Sequence, residues 1–211
     1  YVRCDVTNLE SVNAMVNTVV SEFGTIDILV NNAGINIPRL LVDPAGVQEL
    51  SEQIWDKVMN VNVKGLFFCS QAAARVMVKK QSGVIINMSS ECGLEGSEGQ
   101  SVYAASKAAV NGLTRSWAKE LGKHHIRVVG VAPGILEATG LRTQSYEEAL
   151  SYTRGITVEQ LRAGYSKTST TPLGRSGKLT EVASTVAFLS SDQAGYIHGT
   201  TINVAGGKTR G

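Results

Sequence analysis

The chain lacks the features that announce membranes, metals and nucleic acid. No apolar run approaches the roughly 20 residues needed to cross a bilayer, and the opening YVRCDVT has neither the basic start nor the apolar middle of a signal peptide. Only three cysteines are present, Cys4, Cys69 and Cys92. They match no metal spacing, and an odd number leaves one unpaired, which suits a reducing cytoplasm. Charge of one sign is also absent: 20 Lys and Arg face 18 Asp and Glu, a formal balance of +2. With no basic run and no interleaving of aromatic and basic residues, neither nucleic acid nor a membrane is an expected partner. Prolines number four, and no linker, repeat or low-complexity segment interrupts the chain. No G-x-G-x-x-G follows any strand pattern, so that phosphate-cradling turn is not among these residues.

What is present reads as one domain spanning residues 1–211, with 43% apolar residues and 22 glycines. Strand and helix patterns alternate along its length, which predicts an α/β fold with a doubly wound parallel sheet. YVRC reads as a strand. Thr7 and Glu10 offer a capping box for a helix that runs to about Phe23 and stops at Gly24. IDILVNNAG and GVIINMSS read as buried strands, and IRVVGVA and TTINVAGG as two more. Between them, a long helix is expected from about Ser51 to Lys80. Its apolar positions, among them Leu66, Phe67 and Phe68, exceed one stripe, so part of it is expected to pack against another subunit. A late helix begins near Thr180 and reaches Leu189. His124 and His125 are read as helix-end residues that complement the dipole.

Chemistry gathers at the strand ends. In an open parallel sheet, ligands bind beyond the carboxyl ends of the strands. There GVIINMSS delivers Asn87, Ser89 and Ser90, and IDILVNNAG delivers Asn31, Asn32, Ala33 and Gly34, small enough to admit a flat ligand. In SVYAASKAAVNGL, Tyr103 and Lys107 stand four apart and so share one helix face. A free phenol ionises near pH 10, a poor base at neutrality. A neighbouring ammonium favours the phenolate, so Lys107 is expected to lower the Tyr103 pKa into a useful range.

Together these residues resemble the short-chain dehydrogenase/reductase family. The match is carried by NNAG at 31–34, the asparagine of MNVNVKG, Ser90 thirteen residues before Tyr103, Lys107, and the Pro-Gly of VVGVAPG. The resemblance implies a Rossmann-type sheet and a nicotinamide cofactor. It assigns Tyr103 as general acid/base, Ser90 as the hydroxyl that holds the reacting oxygen, Lys107 as the partner of both Tyr103 and the nicotinamide ribose, and Asn62 as the anchor of a relay water. Asp5 and Val6 would contact adenine, Asn32, Ala33 and Gly34 would wall the dinucleotide, and Pro133, Gly134 and Leu136 would flank the nicotinamide. The family also opens with a strand, a glycine-rich turn and a helix ahead of the position of Tyr1, so the chain reads as N-terminally incomplete. A homotetramer built on the long helix and the Tyr103 helix is implied. One departure stands out: Ala138 replaces the threonine expected after Pro133-Gly134, with Thr139 next in line, which puts the carboxamide contact in doubt.

Substrate choice is expected in the segment at about 135–178, an unusually long lid. It holds Arg142, Arg154, Arg162, Lys167 and Arg175 and tyrosines 146, 152 and 165. Arginine forks match phosphate oxygens, so a phosphorylated small-molecule substrate is expected, with Arg142 and Arg154 the first candidates to bind it. The competing reading pairs these cations with Glu147, Glu148 and Glu159 on solvated faces. The strings NIPRLLVDP, EATGLRT, YEEALSYTRGITVEQLRAGY, TPLGRSGKLTEVA and INVAGGKTRG resemble bacterial dehydrogenases of sugar-alcohol phosphates, which implies NAD; NADP is not excluded. Two alternatives remain, a dehydrogenase of another polyol or of a 3-oxoacyl group and a catalytically silent nucleotide-binding relative.

Overall fold

The computed structural model describes residues 1–209, so the last two letters of INVAGGKTRG lie outside the described residues. Four strands form one parallel sheet in the order β1 (Ile28–Asn31), β2 (Gly83–Met88), β3 (Ile126–Pro133) and β4 (Thr201–Val204). Helix α1 (Leu9–Phe23) precedes β1. Between β1 and β2 run α2 (Glu52–Met59), a π turn (Asn60–Gly65) and α3 (Leu66–Lys80). A short α4 (Cys92–Glu95) and the long α5 (Ser101–Leu121) lead to β3. The lid carries α6 (Gln144–Thr153) and α7 (Val158–Gly164), and α8 (Leu179–Ser190) precedes β4.

The winding follows from alternation along the two central strands. Successive strand residues point to opposite faces. Ile85 and Val128 accordingly pack with Ala73, Met77 and Ala118 from α3 and α5, whereas Ile86 and Val129 pack with Val182 and Leu189 from α8 on the other face. Helices thus cover both sides of β2 and β3. On β1 the α8 face is uncovered, since Ile28 and Val30, in register with Val84 and Ile86, remain exposed.

Three local expectations are corrected. Residues 1–4 form no strand, because no described strand lies beside them to exchange backbone hydrogen bonds. The cap of α1 is Asn8, whose side chain accepts the Ser11 N–H at 2.9 Å. Thr7 lies one position ahead of that cap, where its N–H and hydroxyl both donate to the Asp5 carboxylate. The expected long helix exists, but a π turn divides it, and Asn62 in that turn is 1% exposed. Gly24 does end α1, in the left-handed conformation. His124 bonds the Gln81 side chain at the end of α3. His198 joins the Val128 N–H to the Ala118 carbonyl, tying β3 to α5.

The turn after β2 lies flat against α5 because Gly93 has no side chain. A Cβ there would stand 2.6 Å from the Lys107 carbonyl carbon and 2.8 Å from the Ala108 nitrogen, and helix backbone cannot yield. Gly93→Ala is therefore expected to destabilise the protein by about 1–3 kcal/mol in urea unfolding. An unchanged midpoint would show that the turn repacks freely.

Candidate active site

Three segments meet where the sequence places them. Ser90 follows β2, and its hydroxyl accepts the Cys92 N–H at 3.2 Å. From α5, Tyr103 and Lys107 reach the same point, 8% and 6% exposed. Lys107 Nζ donates to the Met88 carbonyl at 2.7 Å, and the Ser89 hydroxyl donates to the Lys107 carbonyl at 3.3 Å. The last turn of β2 is thereby stitched to α5 by two bonds, one from each direction.

Asn62 is held from two sides. Its Oδ1 accepts the Ile35 N–H at 2.8 Å, and its Nδ2 donates to the Ile35 carbonyl at 2.9 Å and to Ser106 Oγ at 3.0 Å. Its side chain thus clamps the chain just after NNAG to the π turn and to α5. A relay water would have only the second lone pair of Oδ1 on that side chain. Beneath lies a ladder that sequence reading left without a role: Asn31 donates to Ser70 Oγ and Asn87 Oδ1, and Asn87 donates to Thr114 Oγ1, all buried.

Electrostatics reverse one expectation. Burial pushes the Tyr103 phenol up to about 12, with Cys92 and Glu91 adding to the rise and the Ser90 hydroxyl opposing it. The same burial pulls Lys107 down to about 8. Nζ lies 5.6 Å from the Tyr103 ring centroid and is bound to Met88. The expected phenolate does not form in the protein alone, because desolvation of both charged forms outweighs their attraction.

The proposed cofactor residues line the carboxyl ends of the strands. Asn32 and Ala33 are exposed there, beside a small cleft formed by Val6, Asn31, Ala33, Gly65, Leu66 and Cys69. Gly34 leaves a cradle, since a Cβ would lie 3.4 Å from Asn62 Oδ1 and 3.6 Å from Lys107 Nζ. Pro133 and Gly134 end β3, and Leu136 borders a cavity of about 170 Å³ against Val204 and Ala205. These small residues and the buried amine fit a dinucleotide laid across the sheet end. Asp5 already receives two bonds from Thr7, which hold its carboxyl below the usual range. Thr139 accepts the Leu141 N–H and so serves its own turn, while Ala138 is exposed.

The lid sorts its cations. Arg162 grips Glu147 Oε2 through Nε and Nη2 at 2.9 and 2.7 Å, and Arg175 forks onto Glu181. Arg142 donates to the Leu136 carbonyl, stands 3.4 Å from Glu147 and stacks over the Tyr165 ring. For these three, the solvated-pair reading holds in altered form: Glu147 and Glu181 are the partners. Among the described residues, Arg154 has no carboxylate partner and donates to Ser97 Oγ at 3.0 Å. Sequence reasoning missed what connects it to Tyr103. Gln100 donates to the same Ser97 and accepts from Asn36 and from the Tyr146 hydroxyl. Tyr146 in turn is half-buried, and loss of solvent pushes its phenol far up, with Tyr165, Cys92 and Tyr103 adding. A polar track therefore runs from Tyr146, whose phenol feels Tyr103, to Arg154. Asn36 Oδ1 and Tyr165 Oη are buried with no protein partner. The only sequence signal was a glutamine and an asparagine beside glycine-rich turns.

Comparison with known proteins agrees with this geometry. Residues 1–209 match the family model described as enoyl-(acyl carrier protein) reductase. The chain is 61% identical over 210 residues to sorbitol-6-phosphate 2-dehydrogenase of Klebsiella pneumoniae, covering 98% of this chain and 78% of that protein. It is 41% identical over 203 residues to the 3-oxoacyl-[acyl-carrier-protein] reductase FabG of Thermotoga maritima, covering 96% and 74%. The crystal structure of gox2181 superposes with a TM-score of 0.81 at 36% identity, covering 97% of this chain and 74% of that one. No helix among the described residues is long and apolar enough to cross a membrane.

The Lys107 shift carries a stability signature. Unfolded, this amine ionises near 10.5; folded, it does so at about 8. Between those values the unfolded chain holds the extra proton, so the Lys107 contribution to stability rises with pH across that window. Tyr103, raised from 10 to about 12, has the opposite sign and begins to cost stability only above about pH 10. Relative to Lys107→Met, the wild type is expected to gain stability between about pH 8 and about pH 10 in paired urea titrations; a constant difference would sink this assignment.

Proposed function

The chain belongs to the short-chain dehydrogenase/reductase family of oxidoreductases, and from that premise we propose that it interconverts sorbitol 6-phosphate and fructose 6-phosphate with NAD. The observation that carries the substrate class is the polar track ending at Arg154, a lid cation without a carboxylate partner. A polyol phosphate has hydroxyls to meet Asn36, Gln100, Tyr146 and Tyr165, and a terminal dianion to meet a guanidinium. An acyl chain, the substrate of the FabG relatives, would leave the Asn36 Oδ1 and Tyr165 Oη atoms, which have no protein partner, still unpaired. The Klebsiella relative supports the same reading through its name.

Each residue then has a task. A nicotinamide held at the sheet end beside Lys107 would supply the hydride acceptor in oxidation and the hydride donor in reduction. In reduction Tyr103, protonated in the protein alone, donates its proton to the C2 oxygen as the hydride arrives; in oxidation it takes that proton back. Ser90 holds the same oxygen, since a hydroxyl can serve carbonyl and alcohol alike. Lys107 would bind the nicotinamide ribose and supply charge beside the phenol. Asn32, Ala33, Gly34, Pro133, Gly134 and Leu136 would form the dinucleotide wall, with Asp5 and Val6 at the adenine. Asn62 fixes the segment after NNAG, and a relay water would take its remaining lone pair. We place the enzyme in the cytoplasm as a homotetramer, with residues 135–178 as the lid of a single catalytic domain. Using the distal phosphate to fix C2 converts binding energy into orientation.

Arg154→Ala is expected to raise KM for sorbitol 6-phosphate about 10- to 100-fold, the loss of a charge-assisted bond, with little effect on the slow turnover of plain sorbitol. Initial rates with both sugars decide the matter: equal losses would mean that Arg154 supports the lid and does not read the phosphate.

A further inference from the structure

We propose that the C-terminal tail, Ala205–Thr209, is a positioning element of the active site, anchored by a Lys208–Glu91 ion pair that holds Ser90 from behind. The proposal rests on the reading of Ser90 as the group that holds the reacting oxygen.

Glu91 follows Ser90 directly and is buried, its side chain 7% exposed. Both of its oxygens are taken by the tail: Lys208 Nζ donates to Oε1 at 2.8 Å and the Thr209 hydroxyl to Oε2 at 3.3 Å. Its backbone N–H donates to the Pro133 carbonyl at 3.0 Å. Lys208 also donates to Glu95 Oε1 at 2.9 Å, so one ammonium bridges both ends of the turn from Glu91 to Glu95. That turn contains Cys92, whose N–H donates to the Ser90 hydroxyl. The Ser90 rotamer therefore depends on a turn whose two ends are held by a residue 117 positions away.

The same tail reaches the lid and the end of β3. Gly206 accepts the Leu173 N–H at 3.2 Å, and Asn203 Nδ2 donates to the Thr209 carbonyl at 2.8 Å. Gly206 and Gly207 have φ of +61° and +84°, and a Cβ on Gly206 would meet Thr171 at 2.8 Å, so the bend needs glycine. Gly134 admits both partners, since a Cβ there would lie 2.7 Å from Ala205 and 2.9 Å from Glu91 Oε2. A buried carboxylate without its cation is strongly disfavoured. Loss of Lys208 would therefore expel or reorient Glu91 and loosen the turn at Ser90. The effect falls on alignment of the reacting oxygen, hence on kcat more than on KM.

The test compares Lys208→Met, Glu91→Gln and Lys208→Arg with wild type in the full-length protein. Cys92 serves as reporter, labelled by a thiol reagent and followed by mass spectrometry of its peptide. In Lys208→Met and Glu91→Gln, labelling is expected to accelerate severalfold, and kcat with sorbitol 6-phosphate to fall about 10- to 100-fold, the scale of a small misplacement, with KM little changed. Lys208→Arg, which keeps the charge, is expected to restore both. Unchanged labelling would overturn the proposal, as would faster labelling with wild-type kcat. Should Lys208→Met fail to fold, Glu91→Gln carries the same readouts. Labelling needs no substrate, so if wild type itself fails to turn over the sugar phosphate, the functional reading fails and the labelling alone decides the anchor.

Discussion

The active end of this molecule depends on one buried seam, the pair of bonds that join the last turn of β2 to α5. Lys107 Nζ bonds the Met88 carbonyl, and the Ser89 hydroxyl bonds the Lys107 carbonyl. Because Ser90 follows on one side and Tyr103 lies one helical turn away on the other, the seam sets the distance between the hydroxyl and the phenol. Gly93 allows the closeness, and the Asn62–Ser106 bond braces the helix beside Lys107. Without the seam, both residues would still exist in the sequence, but nothing would hold them face to face.

Burial is what makes the seam chemically useful. In water, a lysine beside a tyrosine would favour the phenolate. Here the protein withdraws solvent from both, so the phenol stays neutral and the Lys107 ammonium holds its proton less tightly than a free lysine. An acid that holds its proton until a polar oxygen arrives suits the reducing direction. The same logic orders the lid. Arg162 and Arg175 find carboxylates and become structural, while Arg154 finds a serine hydroxyl, keeping its charge available to a ligand.

Much of this was legible from local pattern. Apolar runs ending in Asn and Ser marked β1 and β2, and the four-residue spacing placed Tyr103 and Lys107 on one face of α5. What local pattern missed depends on distant or competing partners. YVRC has strand composition, but a strand needs a neighbour. Thr7 has cap chemistry, but the helix starts one residue later and Asn8 takes the cap. Pairing within the lid was expected with Glu147, Glu148 and Glu159; Arg162 does take Glu147, fifteen residues back, whereas Arg175 reaches beyond the lid to Glu181. Depression of the phenol pKa failed because spacing says nothing of solvent.

The π turn has a consequence for how the helix between β1 and β2 is counted. One residue inserted into an α-helix rotates everything after it by about 100° relative to what precedes. Val58 before the turn and Leu66, Ala73 and Met77 after it are all buried; an undisturbed helix would spread them over an arc of about 100°, and the residue taken up by the wider turn draws them into a narrower stripe. The π turn therefore keeps the inward sides of the two half-helices in line across the extra residue. Deleting one residue there would restore the ideal period and leave both half-helices facing inward, but it would remove the widened turn that carries Asn62.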